Sequence, residues 1–267
     1  MTELTIQRPE EAVLSVIHAH RSIRRYRPDP VPREMIERIV AAGQRASTSS
    51  NLQTYSVVAV TDPSKRERLS ELCGNQRHIR EAPVFLAFCA DLARLERVCE
   101  LRGYTIQADH LESFLVAAID AALVIQTAVL AAEAMGLGAC MIGGIRNNPR
   151  EVIKLLDLPR LVFPVVGLTL GWPAEEPVLK PRLPLRAVLH WERYDTSHMD
   201  EDLLAYDRTM METGIYAGRQ VSVPGKPGEV EEYGWLEHSA RRASSTAPGA
   251  LRAHLRETIQ EQGFGLK

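Results

Sequence analysis

Apolar residues recur at helical spacing from about Glu10 to His20, and again from Pro32, which suits a first helical turn, to Arg45. The run TYSVVAVT, Thr54 to Thr61, is β-branched and apolar and predicts a strand. DPSKRERLSELCG follows with both helix ends marked: Asp62 as N-cap, Pro63 at the first helical position and Gly74 just past the end. APVFLAFCAD predicts a second, buried strand, and Leu92 to Arg102 a helix. About Asp109 to Met135 the chain is apolar nearly all round, the pattern of a central helix buried in a core or at a subunit interface. ACMIGG predicts a short third strand, and NPREVIKLLDL a helix with Asn148 as N-cap and Pro149 behind it. LVFPVVGLTLGWP predicts a fourth strand, with Pro164 marking an edge or a strand start.

After Pro173 the pattern changes. PAEEPVLKPRLPLRAVLHWERYD is proline-punctuated and extended, and a helix is expected near Asp200 to Glu212. Gly214 to Tyr233 reads as an arm or loop, RRASS as a solvated turn, and GALRAHLRETIQEQGFG as a short closing helix. Strands and helices alternate with crossovers of uneven length, which suggests α+β layers around one sheet.

Composition narrows the classes. The chain has 267 residues, 45% hydrophobic and 25% charged, with a net charge of −2. That is ordinary globular composition, and it argues against a generic nucleic-acid binder. The uncharged run inside the apolar helix, Ala121 to Ala132, lies between Asp120 and Glu133 and is 12 residues long. A bilayer needs about 20, so no membrane span is expected. The start shows no basic, then apolar, leader, and the four cysteines are scattered without a C-x-x-C, which suits free thiols in a reducing cytoplasm. No complete dinucleotide or phosphate-loop fingerprint, metalloprotease motif or G-x-S-x-G elbow occurs, and the histidines lack metal-ligand spacing.

Four local clusters carry candidate chemistry, each with a plain alternative. HAHRSIRRYRP, His18 to Pro28, holds four arginines and two histidines. In an extended segment His20, Ser22 and Arg24 project to one side, where imidazole, hydroxyl and guanidinium suit a phosphate; otherwise the stretch is a solvated basic turn. ASTSSNLQ, Ala46 to Gln53, offers short hydroxyl and amide groups, or is a polar loop. MIGGIRNN, Met141 to Asn148, puts two glycines at a strand end where a flat ligand can approach, or is a tight turn. LKPRLP, Leu179 to Pro184, aligns Lys180 and Arg182 on a stiff strand as an anion clamp, or guards an exposed edge.

In this order the clusters resemble the nitroreductase family of FMN-dependent oxidoreductases, and within it the larger NADPH-linked nitroreductases and flavin reductases. HRSIR, GNQRHI, GLGACMIGGIRNNP, VVGLTLGWPAEEPVLKPRLP and Tyr206–Asp207 carry the likeness, from about Val13 to Asp207. The resemblance implies a single nitroreductase-like domain over 1–267. Its sheet is central and mostly antiparallel, helices flank it, and an extended arm spans about 173–267. It further implies a cytoplasmic homodimer with the long helix at the interface. His20, Ser22, Lys180 and Arg182 match positions holding the FMN phosphate and ribityl chain. Arg24 matches the cation at the pyrimidine edge, and Gln76 an amide facing the ring. Gly143 and Gly144 match the glycines beside the ring, and Thr48, Ser49 and Asn51 a loop given to the other subunit's site. Arg21 belongs to the same contact segment, although alternation turns it and Arg25 the other way, toward structural or surface places. No catalytic side chain is assigned, because the flavin carries the chemistry.

The implied reaction is ping-pong, two-electron reduction of a small aromatic acceptor, with no nucleic acid or membrane as partner. NADPH is the expected donor with NADH the alternative: Arg219 and Lys226 are the candidate 2′-phosphate contacts, but Glu229, Glu231 and Glu232 follow closely. His238 is retained, yet no basic residue sits just before Pro248, and Asn51 makes the acceptor face more polar. Other flavin chemistry on the same fold, and a flavin-binding sensor without turnover, are the competing classes.

Overall fold

The structure, a computed structural model, describes residues 9–222, 230–245 and 252–267. Two compact units divide it, 1–177 with 252–267, and 178–251.

The first unit begins with α1 (Pro9–His18), α2 (Arg33–Gly43), β1 (Tyr55–Val60), α3 (Pro63–Leu72), α4 (Arg77–Glu81) and β2 (Val84–Asp91). It continues through α5 (Ala93–Leu101), α6 (Leu111–Ala134), β3 (Gly138–Ile142), α7 (Pro149–Leu155) and β4 (Val162–Gly171). The strands form one sheet in the order β1-β2-β4-β3, every pair antiparallel. All of β2 is buried, so its alternation serves two layers. Val84, Leu86 and Phe88 pack with Val124, Ile125 and Ala128 of α6 and Ile39 of α2. Phe85, Ala87 and Cys89 pack with Leu69 of α3, Ile79 of α4 and Val152 of α7. The α+β reading is thus realised as one sheet between two helical layers.

Helix α3 ends where the sequence marks it. The Asp62 carboxylate accepts the Lys65 amide at 2.8 Å, and Gly74 takes φ +93°, a conformation that a side chain would strain. Asn148 stands at the N-cap position of α7, but its side chain makes no capping bond; its amide donates to the Leu72 carbonyl at 2.7 Å, tying α7 to the end of α3. Pro164 is the third residue of β4, and β3 pairs only with Gly167 to Gly171, so Pro164 has β2 on one side and no paired strand on the other. It pairs with Cys89 where the register slips.

Helix α6 is long and apolar enough, by length and composition, to cross a membrane, but eight of its residues are buried within the first unit. The other face is open: Leu115, Ile119 and Leu123 are exposed, as are Val13 and Leu14 of α1. The expectation of a helix buried all round therefore holds for one face of this chain.

The second unit contains α8 (Met199–Glu212), a hairpin of β5 (Gln220–Ser222) and β6 (Val230–Glu232), and α9 (Trp235–Ser244). The hairpin stands where a loop was expected, and α9 where RRASS read as a turn. Asp207 starts α9 from outside, its carboxylate accepting the Leu236 amide at 2.8 Å. Arg219 stacks over the Tyr233 ring at 5.8 Å, beside Tyr216 and His238. Lys226, Glu229 and Pro248 lie outside the described residues. The chain returns to the first unit in α10 (Leu255–Glu261), and Phe264 behind it meets Phe114 edge-on at 5.3 Å.

Candidate functional site

The segment after α1 is extended, and β3 holds it so. Ile23 donates to the Ala139 carbonyl at 2.9 Å, Ser22 bridges Ala139, and Arg27 donates to the Trp172 carbonyl at 2.8 Å. The half-buried Tyr26 hydroxyl donates to the Ile23 carbonyl at 2.6 Å and lies 2.8 Å from Thr169 Oγ1; burial raises its pKa. Alternation is therefore real, and it sorts the charges. Arg21 lies 3.4 Å from Glu176, and Arg25 3.8 Å from Glu175. Glu175 also accepts the backbone amides of Arg24 and Arg25, at 2.6 and 3.0 Å. By contrast, the Ser22 hydroxyl and the Arg24 guanidinium have no hydrogen-bond or ion-pair partner among the described residues. His20 spends only Nδ1, on Glu133 Oε1 at 2.6 Å.

Arg24 borders a cavity of about 480 Å³ with Arg25, Arg77, His78, Glu81 and Glu175. His78 Nε2 is buried there without a partner. Burial, then the Arg24 charge, lower the pKa of this imidazole, which favours its neutral form. Gln76, at the start of α4, is fixed by its amide donating to the Cys73 carbonyl at 2.7 Å.

The two glycines after β3 differ in kind. A Cβ on Gly144 would strike the Cys73 carbonyl and come within 2.7 Å of Gln76 Nε2. A Cβ on Gly143 would meet only Arg146 Nη2, at 3.5 Å. Gly144 is thus required by the protein's own packing, and Gly143 faces free space. Gly144→Ala is expected to cost about 1–3 kcal/mol of stability through overpacking. Gly143→Ala is expected to leave the thermal midpoint within about 2 °C, a shift below about 0.5 kcal/mol. Thermal unfolding followed by circular dichroism checks both, and equal losses would contradict the distinction.

The Thr48–Asn51 loop is held in an unusual backbone path. Ser50, Asn51 and Gln53 have φ of +48°, +56° and +54°. One residue secures them: buried Asp120 of α6 accepts the Ser49 amide at 3.0 Å, the Thr54 amide at 3.0 Å and the Thr54 hydroxyl at 2.7 Å. Sequence reading missed Asp120, Glu133, Glu175 and His78; the two charges interrupting the apolar helix were the available signal for the first pair.

Lys180 and Arg182 belong to the second unit and are exposed. The two cations lie on an irregular segment, not on the expected strand; the Arg182 guanidinium donates to the Lys180 carbonyl at 2.8 Å, and Tyr206 donates to the Pro181 carbonyl at 3.1 Å, which ties the segment down. Among the described residues no cluster of His, Cys, Asp or Glu could hold a metal ion.

Comparison with known proteins places the chain in a family. Residues 17–172 match a profile described as the nitroreductase family, and residues 180–267 its C-terminal domain. The FMN reductase [NAD(P)H] of Bacillus subtilis is 40% identical over 94% of this chain and 97% of its own length. The oxygen-insensitive NADPH nitroreductase of Salmonella typhimurium is 43% identical over 77% of this chain and 83% of its own. The solved NADPH:FMN oxidoreductase from Vibrio harveyi, complexed with NAD+, superposes with a TM-score of 0.83 at 34% identity, covering 96% of this chain and 100% of that one.

Proposed function

The chain belongs to the nitroreductase family, and from that premise we propose how its residues serve an FMN-dependent NAD(P)H oxidoreductase of the nitroreductase or flavin reductase type. The observation that carries the site assignment is the sorting of donors along one extended segment. His20 Nε2, Ser22 Oγ and Arg24 are left without internal partners on one side, while Arg21 and Arg25 pair with Glu176 and Glu175. Unpartnered cationic and hydroxyl donors fit a phosphate, and the open face of Gly143 fits a flat ring.

Bound FMN supplies the two-electron chemistry, accepting hydride from NADPH or NADH and passing it to a small aromatic acceptor. The protein's part is to bind and orient. His20 and Ser22 hold the phosphate end, together with Lys180 and Arg182. Arg21, paired with Glu176, would help fix the segment that presents them. Arg24 would set a positive charge at the pyrimidine edge. Gln76, pinned by Cys73, would face the ring, with Gly143 and Gly144 beside it. The cation Arg219, stacked on Tyr233, is the contact proposed for the NADPH 2′-phosphate.

The protein works as a homodimer in the cytoplasm on this reading, as one domain with residues 173–267 as its arm. Support for the dimer comes from the exposed apolar faces of α6 and α1, with Ile119 55% and Val13 59% exposed. The Thr48, Ser49 and Asn51 loop, anchored on the same α6, is its contribution to the other subunit's site. Sedimentation of a single chain at micromolar protein would contradict the dimer.

Steady-state kinetics test the reaction scheme. Varying NADPH at several fixed levels of a quinone or nitroaromatic should give parallel double-reciprocal lines. Intersecting lines would show that donor and acceptor are bound together, and the scheme would fail.

A further inference from the structure

The His20–Glu133 contact joins two elements 113 residues apart and has no place in the donor set above. Glu133 lies in the last turn of α6, where the helix dipole is negative, and its side chain is only 13% exposed. That location is costly for a carboxylate: burial raises the Glu133 pKa, and the hydrogen bond from His20 is the first of the causes that oppose it. One oxygen meets His20 Nδ1 at 2.6 Å; the other, Oε2, is buried without a partner. Carboxylate at Nδ1 also fixes which ring nitrogen remains free: Nε2, on a ring that is 32% exposed and has no other partner among the described residues.

We infer that Glu133 is a positioning residue for the phosphate end of the cofactor site: its carboxylate holds Nδ1 of the His20 ring and so leaves Nε2 set to meet the FMN phosphate. The inference rests on the flavin reading and deepens it. Glu133 itself touches no ligand in this account. The other charged groups around it are already committed. Arg21, Glu175 and Glu176 border the same cavity of about 510 Å³. Arg21 and Glu176 pair with each other, and Glu175 accepts the Arg24 and Arg25 amides. Ser15 and Val16 of α1, and Ala19 just after it, also line the cavity, and none of them carries a charge.

The test compares FMN with riboflavin, which lacks the phosphate, by flavin fluorescence quenching on the full-length protein. Glu133→Ala removes the partner of Nδ1 and frees the ring to turn. It should leave riboflavin affinity unchanged and weaken FMN by roughly tenfold, the loss of one well-placed bond to phosphate. Glu133→Asp, which draws the carboxylate back by one methylene, should show the same pattern more weakly and serves if Ala disturbs folding. Equal weakening of both flavins would make Glu133 a structural residue and overturn the inference; so would unchanged FMN affinity. Wild type that binds neither flavin would instead overturn the flavin reading beneath it.

Discussion

Asp120→Ala is expected to destabilise the protein by about 3–5 kcal/mol, the scale for removing one partner from a buried charged network. The carboxylate is 1% exposed and accepts three donors, two of them backbone amides that cannot turn to water. Its removal leaves those donors unsatisfied and opens a cavity between α6 and the loop. It also frees the three left-handed residues Ser50, Asn51 and Gln53, each of which would relax toward an ordinary backbone path. Asp120→Asn should not rescue fully, because an amide nitrogen must face at least one of the N–H groups. Urea unfolding measures the loss. A change under 1 kcal/mol for Ala would show that the loop holds itself.

Removing one cation of the K-P-R pair should act on the cofactor and spare the fold. Lys180→Ala or Arg182→Ala is expected to weaken FMN binding by about 1.5–3 kcal/mol, or roughly 10- to 150-fold, the contribution of one charge-assisted bond to phosphate. Stability should move little, since both side chains are exposed and neither forms an ion pair among the described residues. Riboflavin affinity should be unaffected. FMN affinity unchanged in both variants would remove these residues from the phosphate site.

The parts of the fold that the sequence announces are those whose signals are local. Asp62, Pro63 and Gly74 mark both ends of α3 within thirteen residues, and the cap bond is there. The unbroken apolar run of β2 reads as a strand buried on both faces because nothing else tolerates it. What escapes is decided at a distance. Whether Pro164 has an open side depends on where β3 ends, opposite Gly167. Helix α9 is capped from a distance by Asp207, which accepts the Leu236 amide 29 residues on, so RRASS alone reads as a turn. The β5–β6 pairing joins short strands across residues whose composition signals only a loop.

The site follows the same rule. Alternation within H-R-S-I-R depends on extension, which β3 enforces, and it correctly separates Arg21 and Arg25 from Ser22 and Arg24. Asp120 and Glu133 were legible only as charges that spoil a membrane span. Their partners, Thr54 and His20, lie 66 and 113 residues away, beyond any local pattern. A carboxylate inside an apolar helix is expensive unless paired, and that cost is the physical cue that a reader of the sequence can use.

The central claim is that these residues hold FMN for a two-electron reaction fed by a reduced nicotinamide. Anaerobic titration of the FMN-loaded protein tests it most directly. The account expects NADPH to bleach the flavin bands with about one equivalent per FMN, and NADH to do so only at higher concentration. A protein-bound flavin that neither nucleotide bleaches would contradict it.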